Sequence, residues 1–423
     1  MTPEVKERIE QIRHGNVPEG YKKLGKEIIP ADWERKPFSE LGIIASGLVD
    51  PREEPYCHMQ HIGPENIEKD TGRILETQSA SELGLISGKF YFDPDSIVYS
   101  KIRPNLNKVC APLFDGVCSA DCYSIKPTEE IDKTYLLNLM LDYRFYKRAV
   151  ECSMRTGMPK INQDDLNIIT MCYPANKAEQ GKIAEILTAQ DQVVSQKEKL
   201  LEEKQRQKKY LMQQLLTGKK RLPGFDGEWK NVKLSEVLFE RKEKNVNQDH
   251  RICSVAVQKG VVDQIEHLGR SYAAADTSNY GVAHYGDIIY TKSPTGDFPY
   301  GIIKQSQMDE NVAVSPLYGI YEPVRYELGY LLHTYFGYAI NCSNYLLPII
   351  QKGAKNTINI TNDVFVSKKL YLPMDAAEQK ALADIFMTAD NEIDLLRQDI
   401  EQEKQKKKAL MQLLLTGIVR VNI

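Results

Sequence analysis

The sequence contains no GxxxxGK[ST] stretch and no Pro-Pro pair, and each absence removes a class of chemistry. Without the first there is no cradle for the phosphates of a hydrolysed nucleotide. Without the second there is no Asn/Asp-Pro-Pro-Tyr/Phe motif of the kind expected for methyl transfer to an exocyclic base amine; Phe298-Pro299-Tyr300 is only a fragment. Asp93-Pro-Asp95 precedes Lys101, but no Glu-x-Lys or Asp-x-Lys completes a nuclease set there, so the pair reads as a turn before a strand. Cys57-His58-x-x-His61 holds ligand-type residues and Cys118 and Cys122 lie four apart, yet no paired CxxC framework is present. No catalytic residue and no metal ligand is therefore expected. Eight cysteines scattered over 423 residues lack the density of a disulfide scaffold and suit a reducing compartment. Long apolar runs are missing too, and the opening MTPEVKERIEQIRHG is charged and amphipathic, which predicts no membrane span, no signal peptide and a cytoplasmic location. A one-signed charge is also lacking: 55 basic residues face 58 acidic ones, so any surface for nucleic acid has to be local.

What the sequence does have is a duplication. The stretch from Glu179 to Gly218 returns from Glu378 to Gly417, both ends displaced by 199 positions, so the copies align without a gap. Glu-Gln opens each copy and Leu-Thr-Gly closes it; Ala184 matches Ala383, Ile186 matches Ile385, Asp191 matches Asp390, and Leu211-Met212 matches Leu410-Met411. A period near two hundred residues is too long for a solenoid unit and marks a duplicated domain with its helix. Both copies are rich in Glu, Lys, Gln and Leu and nearly free of Gly and Pro, which predicts two long helices of roughly 60 Å. Ile183, Ile186, Val193, Leu200, Leu211 and Leu215 in the first, and Leu382, Ile385, Ile393, Leu396, Ile400, Leu410 and Leu414 in the second, form a coiled-coil stripe. The basic runs Lys204–Lys209 and Lys404–Lys408 read as a solvated face, with contact to DNA or a partner as the alternative.

Between the helices lie two related globular stretches. Trp33-Glu-Arg-Lys-Pro-Phe-Ser-Glu pairs with Trp229-Lys-Asn-Val-Lys-Leu-Ser-Glu, Ser96–Lys101 with Asp287–Lys292, and Ile161-Asn162 with Ile358-Asn359. Their offsets drift while that of the helices does not. Gly25-Lys26 and Pro30 match Gly218-Lys219 and Pro223, so the chain reads as a circular repeat cut open inside its linker. Strands are predicted at Ser96–Ser100, Asp287–Tyr290 and Lys369–Leu372, and helices at Tyr135–Val150 and Glu327–Asn341. The predicted class is α+β. Residues 1–30 form an N-terminal helix and leader, 31–174 the first globular domain, 175–221 the first long helix, 222–373 the second domain, and 374–423 the second long helix.

Polar loops fall at equivalent places in the two halves. Lys101, Arg103, Asn105, Asn107 and Lys108 follow one matched strand, and Lys292 and Ser293 follow the other. Farther on, Arg155, Lys160 and Asn162 parallel Lys352, Lys355, Asn356 and Asn359. Arg and Lys serve phosphates and guanine edges, and Asn grips adenine with two hydrogen bonds, so these loops hold the inventory of a DNA reader. Lys101 and Lys292, at a shared position, suit phosphate contact. Arg103, Asn162, Asn356 and Asn359 suit base contact.

Two diverged domains, each entered through a Trp-containing junction and each followed by a helix of the EQxxIAxIL…LMQxLLTG type, resemble the specificity subunit of a type I restriction-modification system. The resemblance covers nearly the whole chain. It implies two target recognition domains, each reading half of a bipartite DNA site, and two antiparallel helices in a pseudo-two-fold arrangement that space them. It further implies a non-catalytic chain that binds double-stranded DNA, two methyltransferase subunits carrying S-adenosylmethionine, and restriction subunits using ATP and Mg. The rival readings are a fused restriction-methylation enzyme with an unrecognised motif, and a coiled-coil scaffold that would leave two diverged domains unused.

Overall fold

The computed structural model describes residues 2–153, 159–270, 273–352 and 358–423. Its contacts divide the chain into two compact units, Met1–Glu198 with Asp399–Ile423, and Lys199–Gln398. The division falls inside both long helices, Lys177–Leu215 and Ala376–Leu414, so each unit owns one globular domain, part of its own helix and part of the other.

The two domains share one topology. In the first unit a four-stranded antiparallel sheet runs Gly42–Ile44, Cys122–Pro127, Ile97–Ser100, Val109–Cys110; in the second the order is Leu238–Glu240, Gly319–Pro323, Ile288–Tyr290, Ile303–Gln305. A smaller sheet follows the same plan twice. Gln60–Ile62 lies parallel to Gly116–Cys118, which pairs antiparallel with Phe90–Phe92. Arg251–Ala256 lies parallel to Val312–Val314, which pairs antiparallel with Gly281–Ala283, and the second unit adds Gly260–Asp263 at its edge. A two-stranded ribbon closes each domain, Trp33–Pro37 with Thr170–Pro174 and Lys230–Lys233 with Lys369–Leu372. The three strands expected from β-branched runs are present. Each single helix expected behind them is two: Lys133–Leu141 and Tyr143–Ser153 in one domain, Tyr326–Phe336 and Ala339–Leu346 in the other. Asp142 breaks the first by turning extended (ψ 143°) and accepting a hydrogen bond from the Arg144 N–H at 3.0 Å. The second breaks at Gly337 and the extended Tyr338, where no side chain holds the helical turn.

Within each unit the long-helix segments pack antiparallel, and the duplicated residues explain why. Lys407 pairs with Asp191 at 2.6 Å in the first unit, and Lys208 with Asp390 in the second, the same pair displaced by the repeat. Lys404 binds Glu198 and Lys204 binds Glu392, each at 2.7 Å. Lys204, Lys208, Lys404 and Lys407 are thus partners for acidic residues across the helix pair, while Arg206, Lys209, Lys406 and Lys408 remain exposed, so the solvated face is only part of each run. The apolar seam also differs in detail. Leu187, Val194, Leu216, Phe386 and Leu415 are buried, whereas Leu200, expected in the seam, is 44% exposed.

The Glu-Gln opening is the keystone of each unit. Glu179 is buried and takes Arg420 in a two-pronged pair at 2.7 and 2.8 Å; Glu378 is buried and takes Arg221 at the same two distances. Arg221 and Arg420 are again one repeat apart. Gln180 accepts from the Asp132 N–H and donates to the carbonyls of Glu130 and Pro174, pinning the helix start to its domain. In the first unit the junction after the second helix is held by the N-terminal segment: Tyr21 donates to Gly417 O at 2.7 Å and Arg8 to Ile418 O at 2.9 Å. Gly417 (φ +71°) abuts Pro30 and Trp33 as Gly218 (φ +69°) abuts Trp229 and Tyr371. The counterpart of Gly218-Lys219 is therefore Gly417-Ile418. Gly25-Lys26, matched to it from sequence, instead turns a hairpin between Tyr21–Leu24 and Glu27–Pro30.

Candidate DNA interface

In both domains the central strand, ending at Ser100 in one and Tyr290 in the other, delivers its chain into a polar loop. Five non-glycine residues among those described have positive φ, and three belong to these loops: Arg103 (+48°), Asn107 (+43°) and Lys292 (+56°). A side chain with a Cβ is disfavoured in this region, and such strain gathers where surrounding structure and function demand a particular direction.

In the first unit the fold joins the two predicted loops. The Arg103 N–H donates to Pro159 O at 2.8 Å, the Ile161 N–H donates to Lys101 O at 2.9 Å, and Ile102 bridges Lys160. Lys101 is half-buried with its ammonium over the rings of Tyr123 (5.2 Å) and Phe90 (5.9 Å). Burial, reinforced by the neighbouring charge of Lys160, holds it below the ordinary lysine value. Arg103, Asn105 and Lys160 are exposed beside it. Three basic residues thus stand on two hydrogen-bonded segments, a local positive charge of the kind that phosphate contact uses. Not every predicted residue faces outward. The Lys108 ammonium donates to Pro64 O at 2.6 Å, and buried Asn107 donates to Leu141 O at 3.2 Å; both brace the loop from within. Asn162 is exposed, but its Oδ1 caps the Gln163–Asn167 helix by accepting from the Asp165 N–H at 2.7 Å. That removes half of the paired geometry expected of it as an adenine reader.

In the second unit Lys292 is half-buried and its ammonium donates to Asn362 Oδ1, while Asn362 donates to Glu240. Burial lowers its proton affinity. Ser293 is exposed at the head of a turn closed by reciprocal backbone bonds between Thr295 and Phe298. Gln351–Lys352 pairs antiparallel with Ile358–Asn359, which places the backbones of Lys352 and Asn359 in one short ribbon. Arg155, Lys355 and Asn356 lie outside the described residues. One repeat pairing shifts by two: Thr361 caps the Asn362–Val366 helix through the Val364 N–H as Asn162 caps its own, so Ile161-Asn162 corresponds to Ile360-Thr361 and not to Ile358-Asn359. Sequence reasoning missed Tyr123, Phe90 and Asn362, the residues that set the two lysines. Asn362 stands 70 positions from Lys292, and no local pattern links them.

The fold and the loops define a protein with two globular domains of one topology, each presenting polar loops at the end of its central strand. Residues 30–205 match the family model described as type I restriction modification DNA specificity domain. The chain is 37% identical over 172 residues to the specificity subunit of the Escherichia coli type I restriction enzyme EcoDI, a match covering 41% of this chain and 36% of that one. It is 26% identical over 335 residues to the MjaVIII specificity subunit of Methanocaldococcus jannaschii, covering 72% and 75%. Among solved structures, the type I restriction-modification S subunit from M. genitalium superposes with a TM-score of 0.58 at 13% identity, covering 95% of this chain and 99% of that one, a likeness of fold. The chain is thus similar to the specificity subunits of type I restriction enzymes, and its match spans 36% of the length of the EcoDI subunit.

Proposed function

We propose that the chain is the DNA-reading subunit of a type I restriction-modification complex. Each domain reads one half of a bipartite target, and the chain directs methyltransferase and restriction subunits without a catalytic centre of its own. The observation that carries this reading is the repetition of one domain topology with a lysine-headed polar loop after the same strand, while loop sequences diverge and the helices stay in step. A shared scaffold with different loop ends suits two readers of different half-sites. Two methyltransferase subunits, one for each repeat, would carry S-adenosylmethionine, and restriction subunits would use ATP and Mg. The complex would work in the cytoplasm.

Replacing Asp226–Pro373 with the corresponding domain of a related subunit tests the proposal. Sequencing of methylated sites should show one half-site changed and the other kept. A change in both halves, or a continuous site, would refute the two-reader model. Methyl transfer by the purified chain alone would instead favour the fused enzyme.

A further inference from the structure

Apart from the polar loops, one group of mixed donor atoms stands together among the described residues. The carboxylate of Glu54, the thiol of Cys57 and the imidazole of His58 have ligand atoms that all lie within 4.8 Å of one another. Sequence spacing draws attention to Cys57, His58 and His61 instead. The fold separates them, because His61 lies inside the strand Gln60–Ile62 and is buried, and Glu54 takes its place in the group.

The backbone carrying these donors is already held. Tyr56–His58 is a single 3-10 turn; the Cys57 N–H donates to Glu53 O at 3.0 Å, and the Ser81 and Ala80 N–H groups donate to Cys57 O and Met59 O, each at 2.9 Å. The side chains of Glu54 and His58 remain open to solvent, so an ion can reach them.

We propose that Glu54, Cys57 and His58 bind a divalent ion of the zinc class, with water completing a four-coordinate shell. One sulfur, one nitrogen and one oxygen donor form a borderline-soft set that suits zinc and disfavours magnesium and calcium, which take oxygen ligands. His58 Nε2 and Glu54 Oε1 stand 2.9 Å apart. Two ligands of a tetrahedral zinc at about 2.0–2.1 Å stand roughly 3.3 Å from each other. Opening the pair by a few tenths of an ångström disturbs only an exposed ion pair, of little weight in stability. Binding forms a zinc–sulfur bond and releases the Cys57 thiol proton to solvent, with no change of oxidation state, so affinity rises with pH. The bound ion staples the turn that leads into the Gln60–Ile62 strand.

The test uses the full chain titrated with Zn²⁺ against a chromogenic chelator, and with Co²⁺ as a spectroscopic substitute. The expected result is one equivalent bound, a thiolate-to-cobalt absorption band that disappears in Cys57→Ala, and affinity lowered at least tenfold in both Glu54→Gln and His58→Ala. Absence of the band, or full affinity in the Glu54 and His58 variants, overturns the proposal. A second measurement needs no variant: Zn²⁺ should slow alkylation of Cys57 while leaving Cys152, the other part-exposed cysteine, unaffected. Equal alkylation of Cys57 with and without zinc also overturns it.

Discussion

Arg103 and Lys292 hold left-handed backbones at the ends of two equivalent strands, and their neighbours fix where the charges go. Lys101 and Arg103 stand on a segment hydrogen-bonded to the one carrying Lys160, so Lys101→Ala and Arg103→Ala should both weaken DNA binding, in different ways. Loss of a phosphate contact at Lys101 should lower affinity for all sequences and make the salt dependence shallower by about one unit of slope. Loss of a base contact at Arg103 should cost roughly 1–3 kcal/mol on the cognate duplex and relax one target position. Salt titrations on cognate and mismatched duplexes separate these outcomes. Normal binding with an unchanged slope in Lys101→Ala and Lys292→Ala would show that the shared strand end does not face DNA.

A second residue-scale case is Lys304, buried beside Gly337 at the C-terminal end of the Tyr326–Phe336 helix. Desolvation, reinforced by the nearby Lys208 charge, pushes it down to about 8. The folded value lies below the unfolded one of about 10.4. Between these two pH values the unfolded chain holds more protons than the folded one, so the free energy of unfolding should rise with pH across that window. Below pH 8 both states are charged and the full burial penalty applies. Lys304→Met should therefore stabilise the protein at neutral pH, by an amount on the order of 1–3 kcal/mol, and flatten the alkaline rise. Urea melts at pH 7 and pH 10 measure both effects.

At the scale of elements, the ends of the long helices are closed by the Arg221–Glu378 and Arg420–Glu179 pairs. Each carboxylate is only 1% exposed with its arginine in place, whereas the arginines themselves are 30% and 35% exposed. A buried charge without its partner costs about 3–5 kcal/mol in a dry interior; the solvent access of these arginines reduces the expected loss to roughly 1–3 kcal/mol. Arg221→Ala should act on the second unit and Arg420→Ala on the first. Hydrogen exchange resolved by segment would show this, and equal loosening of both units by either variant would contradict it. The surroundings of the two pairs are not identical. Trp229 Nε1 donates to Glu378 at 3.1 Å, whereas buried Trp33 Nε1 has no partner and Asp32 supplies the second carboxylate to Arg420.

At the scale of the whole molecule, the ion pairs between the helices constrain how the chain can be lengthened. Four residues inserted between Lys199 and Lys204 in the first helix alone would carry Lys204 and Lys208 about 6 Å past Glu392 and Asp390, and the second unit should lose stability. Four residues inserted after Glu198 and after Gln398 together leave every interhelical pair within its own unit. That double insertion should keep both units folded and shift the spacer of the recognised target. Methylation mapping would detect the shift, and an unchanged spacer in an active double mutant would rule out the helices as a ruler.

The repeat, the two long helices and the paired domains were legible in the sequence because each rests on local signals: a gap-free 199-residue offset, helix-forming composition, and β-branched runs. The Glu-Gln and Leu-Thr-Gly signatures could be found without a structure, but their work could not. Glu179 meets Arg420 across 241 positions, Gln180 meets Asp132 across 48, and Lys292 meets Asn362 across 70. Nothing in a linear pattern encodes such pairings, because they depend on which faces the packed domains bring together. The same reason separates the candidate residues. Residue type alone placed Lys108, Asn107 and Asn162 beside Arg103 as DNA readers, and only tertiary packing turned the first two inward and committed the third to a helix cap. The sequence by itself determined the class and the repeated plan; the tertiary structure decided which polar atoms are already satisfied by the protein and which remain free to meet a ligand.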